Sequence, residues 1–480
     1  MRIRALCRLK GNGDSLKRIA AHRLGFFPFH RHVLARRVPR TPWYYGDGAA
    51  LMTLLAIQVI TGMTMLLYYT NSADHAYDSV WLITRGVSLG RLVRGIHYWT
   101  AGVMVVMLVL HVFRHLLLGG YKAPREGTWI VGVFQFFLVL AMSYTGYVLR
   151  WDERGVYAVR VSLNMLYRVP VIGEALVYVV QGGQHLGSVT LTRFFSVHVW
   201  IVPLFLIGLV GLHLYLVILH GITSRAEKKQ PVKTAAEQKA IYKAACESPT
   251  EGEWFYPRTV LMSGAAALVI FSIAFLPAFV VGPQELYPEG NLVARSMPRE
   301  EWWFWWYSAV IAQLPPRAAP VVYVVFPLLL FVGMMLLPFL DRSPNRGARK
   351  RPFWVFFVLS LLFVLLWFTD LRIESPWTGW PDSTPPTVPE GIVLSDMSEK
   401  GRHLFAVYGC NSCHAVSSHG RRVGPDLAAT EKRLSRSWLY NFVLAPPKNV
   451  PMPSYIDRIT EEDLEKVVEF VLVAQTFPRE

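Results

Sequence analysis

Four histidines stand in two long apolar runs of the sequence, and their spacing suits a shared ligand-binding task. His97 and His111 are 14 residues apart, and His198 and His213 are 15 residues apart. In a helix, either spacing is close to four turns and about 21 Å, so both histidines of a run point the same way. Histidine is costly in a bilayer and rarely lies there without a partner or a task. Two such helices facing each other would hold two imidazole pairs, which suit haem iron; polar core contacts are the alternative.

Four glycines repeat the same period in two further apolar runs. Gly48 and Gly62 are 14 residues apart, and so are Gly132 and Gly146. Because glycine lets another group approach the backbone closely, glycines at the histidine period would leave room for two stacked macrocycles. Small residues also serve ordinary helix packing in membranes, and this alternative stays open.

A separate motif near the C-terminus, Cys410-Asn-Ser-Cys413-His414, is the attachment signature of c-type haem. The two thiols would bond the porphyrin, and His414 would ligate the iron from one side. The sixth ligand is usually Met or His; Met452 is the one methionine after His414, and His419 is the competing candidate. A zinc site would need more cysteines than the chain provides.

Long apolar segments must position these residues. The chain has 480 residues, 53% of them hydrophobic, and repeated apolar runs of about 18 or more indicate transmembrane helices. Beyond them, a helix before Cys410 and a helix over Glu461–Ala474 are predicted around the c-type haem motif. The predicted spans are about 48–69, 95–118, 129–149, 194–219, 259–281, 319–340 and 353–370.

The distribution of positive charge predicts the orientation. The segments 1–46, 119–127, 221–258 and 341–352 hold 25 Lys and Arg residues, whereas the loops at the other ends of the spans hold 11. By the positive-inside rule the N-terminus is expected in the cytoplasm. Seven spans then place the C-terminus outside, where c-type haem attachment is expected. A nucleic-acid arm is the less simple explanation of the basic N-terminus, and no nucleic-acid partner is expected.

Longer motifs carry a resemblance to a known family. The segments LHVFRHLLLGGYKAPREGTW, SYTGYVLRWDERG, VPVIGEALVYVVQGG and TLTRFFSVH resemble cytochrome b of the Rieske/cytochrome b, or quinol–cytochrome c reductase, complexes, closest to the cyanobacterial and chloroplast branch. The resemblance covers about Val38–Asp370, and the C-terminal part resembles a small class I cytochrome c. It implies an all-α membrane protein with a four-helix dihaem cytochrome b bundle, three further transmembrane helices and a small α-helical cytochrome c domain.

The expected domains follow from the spans and the resemblance. They are a basic cytoplasmic segment (1–46), the dihaem four-helix bundle (47–225), a cytoplasmic linker (226–258), a three-helix domain with the quinol-site loop (259–370), a tether (371–395) and a periplasmic cytochrome c domain (396–480).

The resemblance also implies haem partners. His97 with His198 would ligate an outer haem b, and His111 with His213 an inner haem b. Two arginines match family positions near the anionic propionates: Arg94, one turn before His97, and Arg114, one turn after His111. Their alternative role is positive flanking charge. The stretch PWYYGDGAALM has no cysteine, so no extra covalently attached haem is expected there.

The quinol-oxidation loop of the family carries a Pro-Glu-Trp-Tyr motif, which matches Glu300, Glu301, Trp302 and Trp303. Glu301 is expected to accept a proton from quinol. The replacement of proline by Glu300 and of tyrosine by Trp303 departs from the motif, and so does Arg150, where a neighbouring motif normally has proline. A tryptophan belt at the membrane interface is the alternative.

A second quinone site is expected on the cytoplasmic side. His220 would bind the quinone there, at a spacing that is not the usual one. The neighbouring candidates for binding and protonation are Arg225, Glu251 and Glu253.

Together these features predict a cytochrome b/c fusion subunit of a proton-translocating quinol:cytochrome c oxidoreductase in a prokaryotic inner membrane. It would oxidise quinol outside, carry two haem b and one covalent haem c, and work with a Rieske iron–sulfur protein in a separate chain, membrane lipid and a further soluble acceptor, as a homodimeric complex. One alternative is a non-bifurcating electron conduit between quinone and an external partner. Another is a binding or structural membrane protein without haem. The sequence leaves the quinone type open.

Overall fold

The computed structural model describes residues 34–183, 186–287, 289–290, 300–315, 318–374, 385–412, 414–417, 419–420, 424–428, 434–447, 452, 454–456 and 459–478. The fold is mostly helical. In chain order the α-helices are α1 (Asp47–Leu66), α2 (Ala76–Arg85), α3 (Gly90–Leu118), α4 (Glu126–Val148), α5 (Glu153–Tyr167), α6 (Gly173–Gln181), α7 (Ser188–His220), α8 (Arg225–Lys229), α9 (Ala235–Glu247), α10 (Val260–Val280), α11 (Trp305–Ala312), α12 (Ala319–Leu340), α13 (Pro352–Glu374), α14 (Asp396–Val407), α15 (Arg436–Leu444) and α16 (Glu461–Ala474).

Short strands and turns complete the described chain. Strand β1 (Arg37–Pro39) pairs with β2 (Gly252–Trp254), and β3 (Ala415–Val416) pairs with β4 (His419–Gly420), both in antiparallel register. The 3-10 turns lie at Trp43–Gly46, Trp302–Phe304, Ala348–Lys350 and Cys410–Ser412, and π turns lie at Val197–Ile201 and Phe255–Thr259.

Among the described residues, seven helices are long and apolar enough to cross a membrane: α1, α3, α4, α7, α10, α12 and α13. They coincide with the predicted spans, which confirms the predicted number and order. Many of their large apolar side chains face outward; Leu204 is 74% exposed and Phe205 is 61% exposed. Such exposure fits lipid contact, because hydrocarbon does not penalise an apolar side chain as water does.

Four of these helices form the bundle that holds the histidines. Helix α1 packs along α3, and α4 packs along α7, while α3 and α4 also touch each other. Helix α10 covers both α1 and α3, α12 packs against α4, and α13 packs against α11 and α3. The core of this region is apolar, with Leu54 and Val139 buried beside Trp303.

The segments rich in Lys and Arg lie together at one end of the spans, which we call the basic face (34–46, 119–125, 221–258 and 341–351). Glu227 is its central carboxylate. It accepts two hydrogen bonds from Arg125, both 2.9 Å, and one of 3.1 Å from Arg346. Burial raises the pKa of Glu227, but the hydrogen bonds and charge of Arg125 and the charge of Arg346 outweigh burial, so the pKa lies below its ordinary value. This cluster joins residues 221–258 to the start of α4 and to the loop between α12 and α13.

The C-terminal domain has a small apolar core of its own. Helices α14 and α16 pack against each other, with Phe405 in edge contact with Phe470. The two helices predicted around the c-type haem motif are thus confirmed. At the two ends of the tether predicted over 371–395, α13 continues to Glu374, and Val388 and Ile392 pack against the core of the C-terminal domain. The domain bounds stay predictions. Residues 375–384 lie outside the described part of the chain.

Candidate functional site

Helices α3 and α7 carry the two histidine pairs. His97 and His111 lie on α3 in unbroken α geometry, whereas His198 lies in the π turn Val197–Ile201 of α7. Since a π turn holds one residue more than an α turn, 15 residues of α7 cover the same rotation as 14 residues of α3. His198 lies within electrostatic range of His97, and His213 within range of His111. The structure therefore brings together the histidines that the sequence paired.

Three of the four periodic glycines face these histidines. A β-carbon on the glycine would meet a ring carbon of the imidazole, so the rings approach the backbone of α1 or α4 at close range. The contacts are Gly62 with His97 (3.4 Å), Gly132 with His213 (3.4 Å) and Gly146 with His198 (2.7 Å). Gly48 differs, because a β-carbon there would have no heavy atom within 4 Å.

The second ring nitrogen of three histidines has a side-chain partner on α1 or α4. Nδ1 of His97 lies 2.8 Å from the Thr61 hydroxyl, and Nδ1 of His198 lies 3.1 Å from the Thr145 hydroxyl. Nδ1 of His111 lies 3.0 Å from a carboxylate oxygen of Asp47. Partners at Nδ1 fix the ring and leave Nε2 for a metal.

His213 is the exception. The backbone of Thr128 lies near its ring, but among the described residues its Nδ1 makes no well-formed hydrogen bond. The pattern explains this difference: each side-chain partner directly precedes a periodic glycine, and Val131 occupies that place before Gly132. Sequence reasoning missed these partners, although a polar residue before a periodic glycine was a usable signal.

The residues present therefore fit a haem at each level of the bundle. Among the described residues, three of the four rings have a side-chain partner at Nδ1, which leaves Nε2 for a metal. Three glycines bring the helix backbone close to a ring. Bis-imidazole ligation of iron requires this donor set.

The predicted propionate arginines have protein partners. Arg94 donates to the backbone carbonyl of Gln284 and, at 3.3 Å, to the Thr84 hydroxyl, and its Nε has no acceptor among the described residues. Arg114 instead binds Asp47 through two hydrogen bonds, of 2.7 and 3.0 Å. The propionate roles of Arg94 and Arg114 stay predictions.

Glu301 is the centre of a charged cluster at the face opposite the basic face. Its side chain is 1% exposed. One carboxylate oxygen lies 3.3 Å from Arg150 Nη1 and 3.2 Å from Arg154 Nη1, and the other accepts from the Tyr98 hydroxyl at 3.3 Å. A substrate hydroxyl would have to displace one of these partners to reach Glu301.

Arg150, one of the departures from the family motif, belongs to this cluster. Its guanidinium also donates to Asp152 and, at 2.8 Å, to the Gln284 side chain. Burial lowers the pKa of Arg150, but the charges of Asp152 and Glu301 outweigh burial and leave the pKa above its ordinary value. Arg150 therefore stays charged and joins the loop after α4 to the loop that carries Glu301.

The two tryptophans after Glu301 pack against α3. A β-carbon on Gly102 would lie 3.1 Å from the ring of Trp302 and 3.2 Å from that of Trp303. Trp303 is 8% exposed, and its indole nitrogen has no acceptor among the described residues. A buried N–H without a partner is costly, so this donor suits a ligand oxygen.

Glu300, the other departure from the motif, has a separate partner. It receives two hydrogen bonds from Arg372 near the end of α13, of 2.9 and 2.8 Å. Burial raises the pKa of Glu300, but the hydrogen bonds and charge of Arg372 outweigh burial and keep the pKa below its ordinary value. The ion pair fixes the loop to the helix that leads toward the C-terminal domain.

The two glutamates predicted near a second quinone site have ion-pair partners on the basic face. Glu253 pairs with Arg40 and Arg258, both at 3.3 Å, and Glu251 pairs with Lys229 at 2.8 Å. His220 ends α7, and among the described residues its Nδ1 is buried without a partner. The described contacts do not join His220 to either glutamate, because the pairing of β2 with β1 holds both of them near β1. A quinone site at His220 stays a prediction.

The c-type haem motif is partly described. The backbone N–H of His414 donates to Cys410 at 2.9 Å, and His414 Nδ1 lies 2.9 Å from the carbonyl oxygen of Pro425. A β-carbon on Gly424 would lie 2.7 Å from the ring. Burial lowers the pKa of His414, which its bond to Pro425 partly offsets. A neutral ring held at Nδ1 fits a haem ligand.

The remaining c-site residues are less constrained. Cys413 lies outside the described residues. His419 sits on β4, paired with Val416. Met452 is half-buried in the loop between α15 and α16. The choice between Met452 and His419 as sixth ligand stays a prediction.

The fold and these sites define a multi-pass helical membrane protein with a c-type haem motif in a separate C-terminal domain. Residues 36–222 match the family Cytochrome b/b6/petB, and residues 396–471 match the family Cytochrome C oxidase, cbb3-type, subunit III. Cytochrome b of Rickettsia bellii is 32% identical over 355 residues, covering 71% of this chain and 83% of that protein. The chain belongs to the cytochrome b family.

Other relatives agree with this assignment. Cytochrome b6 of Synechococcus elongatus is 40% identical over 185 residues, covering 38% of this chain and 86% of that protein. A solved structure titled "Hyperthermophilic respiratory Complex III" aligns with a TM-score of 0.63 and 27% identity, covering 74% of this chain and 91% of that one. The expected resemblance and fold class are thus confirmed, with a haem-binding cytochrome c domain joined to cytochrome b.

Proposed function

We propose that this chain is the cytochrome b subunit of a quinol:cytochrome c oxidoreductase, with a cytochrome c acceptor fused to its C-terminus. The observation that carries the proposal is the pair of imidazole levels inside one bundle, with three of the four rings held at Nδ1 by side chains of α1 or α4. Bound haems would supply one-electron transfer. The residues that would hold them are His97 with His198, His111 with His213, and Cys410, Cys413 and His414 with Met452.

Quinol oxidation is assigned to the cluster around Glu301. The reaction needs a proton acceptor beside a one-electron acceptor. The quinol hydroxyl would replace Tyr98 or Arg150 at the carboxylate and give its proton to Glu301. Trp303, whose indole N–H lacks an acceptor among the described residues, would donate a hydrogen bond to a quinol oxygen.

The two electrons of quinol take different routes in this proposal. One leaves through a Rieske iron–sulfur protein in another chain and then the fused cytochrome c domain. The other crosses to the basic face and reduces quinone. Protons are released at the Glu301 face and taken up at the basic face.

The location follows from charge. We assign the basic face to the cytoplasm of a prokaryotic cell by the positive-inside rule, which places Glu301 and the C-terminal domain in the periplasm. The proposal includes a homodimeric assembly with a Rieske partner and a further soluble acceptor. The solved relative is titled as a respiratory complex, which supports the same setting.

A second function remains in competition because of Glu300, Trp303 and Arg150. Tryptophan cannot deprotonate usefully where the family has tyrosine, and Glu301 is bound by two arginines. A non-bifurcating conduit would pass electrons between quinone and an external partner without dividing each pair. It would need neither a side chain that deprotonates at position 303 nor the release of Glu301 from its arginines.

One experiment separates the two functions. The purified complex is mixed with a short-chain quinol and an oxidised acceptor, with antimycin blocking the inner site, and b-haem reduction is followed optically. Bifurcation predicts that adding oxidant drives b haem reduced. Absence of oxidant-induced reduction would favour the conduit. Complex that lacks any Rieske signal would contradict the proposed oxidoreductase.

A further inference from the structure

The inner histidine of α3 has a partner of a different kind from the others. Asp47 begins α1, and its side chain is 9% exposed. One carboxylate oxygen lies 3.0 Å from His111 Nδ1 and 2.7 Å from Arg114 Nε, and the other lies 3.0 Å from Arg114 Nη2. Arg114 in turn stacks over the Tyr45 ring, 4.6 Å from its centre. The carboxylate is thus clamped in place on the back of the ring.

The other three histidines of the bundle differ from His111 in what lies at Nδ1. His97 and His198 face the neutral hydroxyls of Thr61 and Thr145. His213 has no well-formed partner at Nδ1 among the described residues. His111 is therefore the one predicted b-haem ligand whose described Nδ1 partner is an acid.

A carboxylate behind an imidazole changes what the ring does to a metal. By accepting the Nδ1 proton in a hydrogen bond, it raises the basicity of the ligand. A more basic ligand, with negative charge close behind it in a medium of low dielectric, stabilises ferric over ferrous iron. Arg114 offsets part of the charge, because its Nε lies 2.7 Å from the same carboxylate oxygen that faces His111 Nδ1. The carboxylate nevertheless differs from the threonine hydroxyls behind His97 and His198, because it can only accept the Nδ1 proton.

We propose that Asp47 is a positioning residue that lowers the reduction potential of the inner haem by acting through His111. This inference rests on the proposed function, in that His111 must ligate a haem. As a consequence, the inner haem donates electrons to the quinone at the basic face more strongly than it would if position 47 were threonine.

The test is a potentiometric titration of the purified full-length complex, wild type and Asp47→Asn. The inner component is first identified as the b signal that disappears in His111→Ala. In Asp47→Asn the reduced-to-oxidised ratio of this component at a fixed ambient potential should rise about tenfold, a shift of about 59 mV for a one-electron couple. The outer b component should stay unchanged. The matched control Thr61→Val, which removes a neutral partner, should move the outer component less.

A second variant keeps the test decisive. Asp47→Thr gives the inner histidine the kind of hydroxyl that Thr61 gives the outer one, and it should show the same upward shift. The EPR spectrum of the ferric inner haem should change in both variants, because the ligand field at His111 changes. The proposal would be overturned if the reduced-to-oxidised ratio of the inner b component, at the same ambient potential, stayed within about twofold of wild type in both variants.

Other failures are distinguishable. Loss of the inner haem from both variants would also overturn the proposal, because Asp47 would then build the site rather than tune it. If His111→Ala removed no b signal from the otherwise intact protein, the proposed function itself would fail before Asp47 was tested.

Discussion

Substituting Glu301 by glutamine tests the proposed proton acceptor with little change in shape. The amide keeps an oxygen for Arg150 and Arg154 but cannot take a proton from quinol. Arg150 keeps Asp152 and Gln284, and Arg154 keeps the Tyr287 hydroxyl at 3.2 Å. The cluster should therefore hold together, and the loss should fall on chemistry.

The expected size follows from the role. A positioned general base contributes about 10²–10⁴-fold, equivalent to about 2.7–5.4 kcal/mol of barrier at about 1.36 kcal/mol per tenfold. Because Glu301 is 1% exposed, bulk water cannot easily replace it as acceptor. We expect quinol oxidation to fall at least about 100-fold.

The matched control is the adjacent Glu300→Gln. Glu300 binds Arg372 rather than the quinol cluster, so its loss should lower the rate by less than about tenfold. The assay is steady-state quinol-dependent reduction of an external acceptor, normalised to haem c, with b-haem content measured in parallel. If Glu301→Gln matched Glu300→Gln in rate with haem content intact, Glu301 would not be the acceptor.

Three further predictions concern other parts of the chain. Gly146→Ala should displace His198 and reduce b-haem content, because the new carbon would lie 2.7 Å from the ring. Gly62→Ala and Gly132→Ala should lose less haem, because the same distance there is 3.4 Å. Pyridine haemochrome spectra measure the order, and equal losses would contradict it. Glu227→Ala should cost about 3–5 kcal/mol by leaving two buried arginines unpaired. Since the pKa of Glu227 is lowered in the folded protein, its contribution to stability should be present above the ordinary glutamate pKa of about 4.3 and lost as the pH falls below it. Thermal unfolding of wild type and variant at pH 7 and pH 4 tests this. A stability difference between the two proteins that grows on acidification would refute it. Met452→Ala should keep haem c covalently bound but let it bind carbon monoxide, whereas His419→Ala should not; the reverse result would make His419 the ligand.

The spans, the histidine pairs and the two helices of the C-terminal domain were predictable because their signals are local and periodic. Apolar runs fix a helix through its own backbone hydrogen bonds, and a 14-residue period fixes a face. The π turn at His198 was visible only as the 15-residue spacing, and its cause needed the backbone.

Contacts between distant segments were beyond the sequence. Three contacts show this: Asp47 with His111, Arg150 with Glu301, and Glu300 with Arg372. Their residues lie 64, 151 and 72 positions apart in the sequence. The resemblance marked Arg150 and Glu300 as departures, but only packing shows that each one gained a charged partner. The partners of Glu251 and Glu253 were hidden for the same reason, since they depend on strand pairing at the basic face.

The most direct test of the central claim is haem quantification combined with a redox titration of the purified chain in its complex. The account predicts two b haems and one covalent c haem per chain, with His213→Ala removing one b component and leaving the other. A single b haem in the wild type, or b absorbance unchanged in both His111→Ala and His213→Ala, would contradict it.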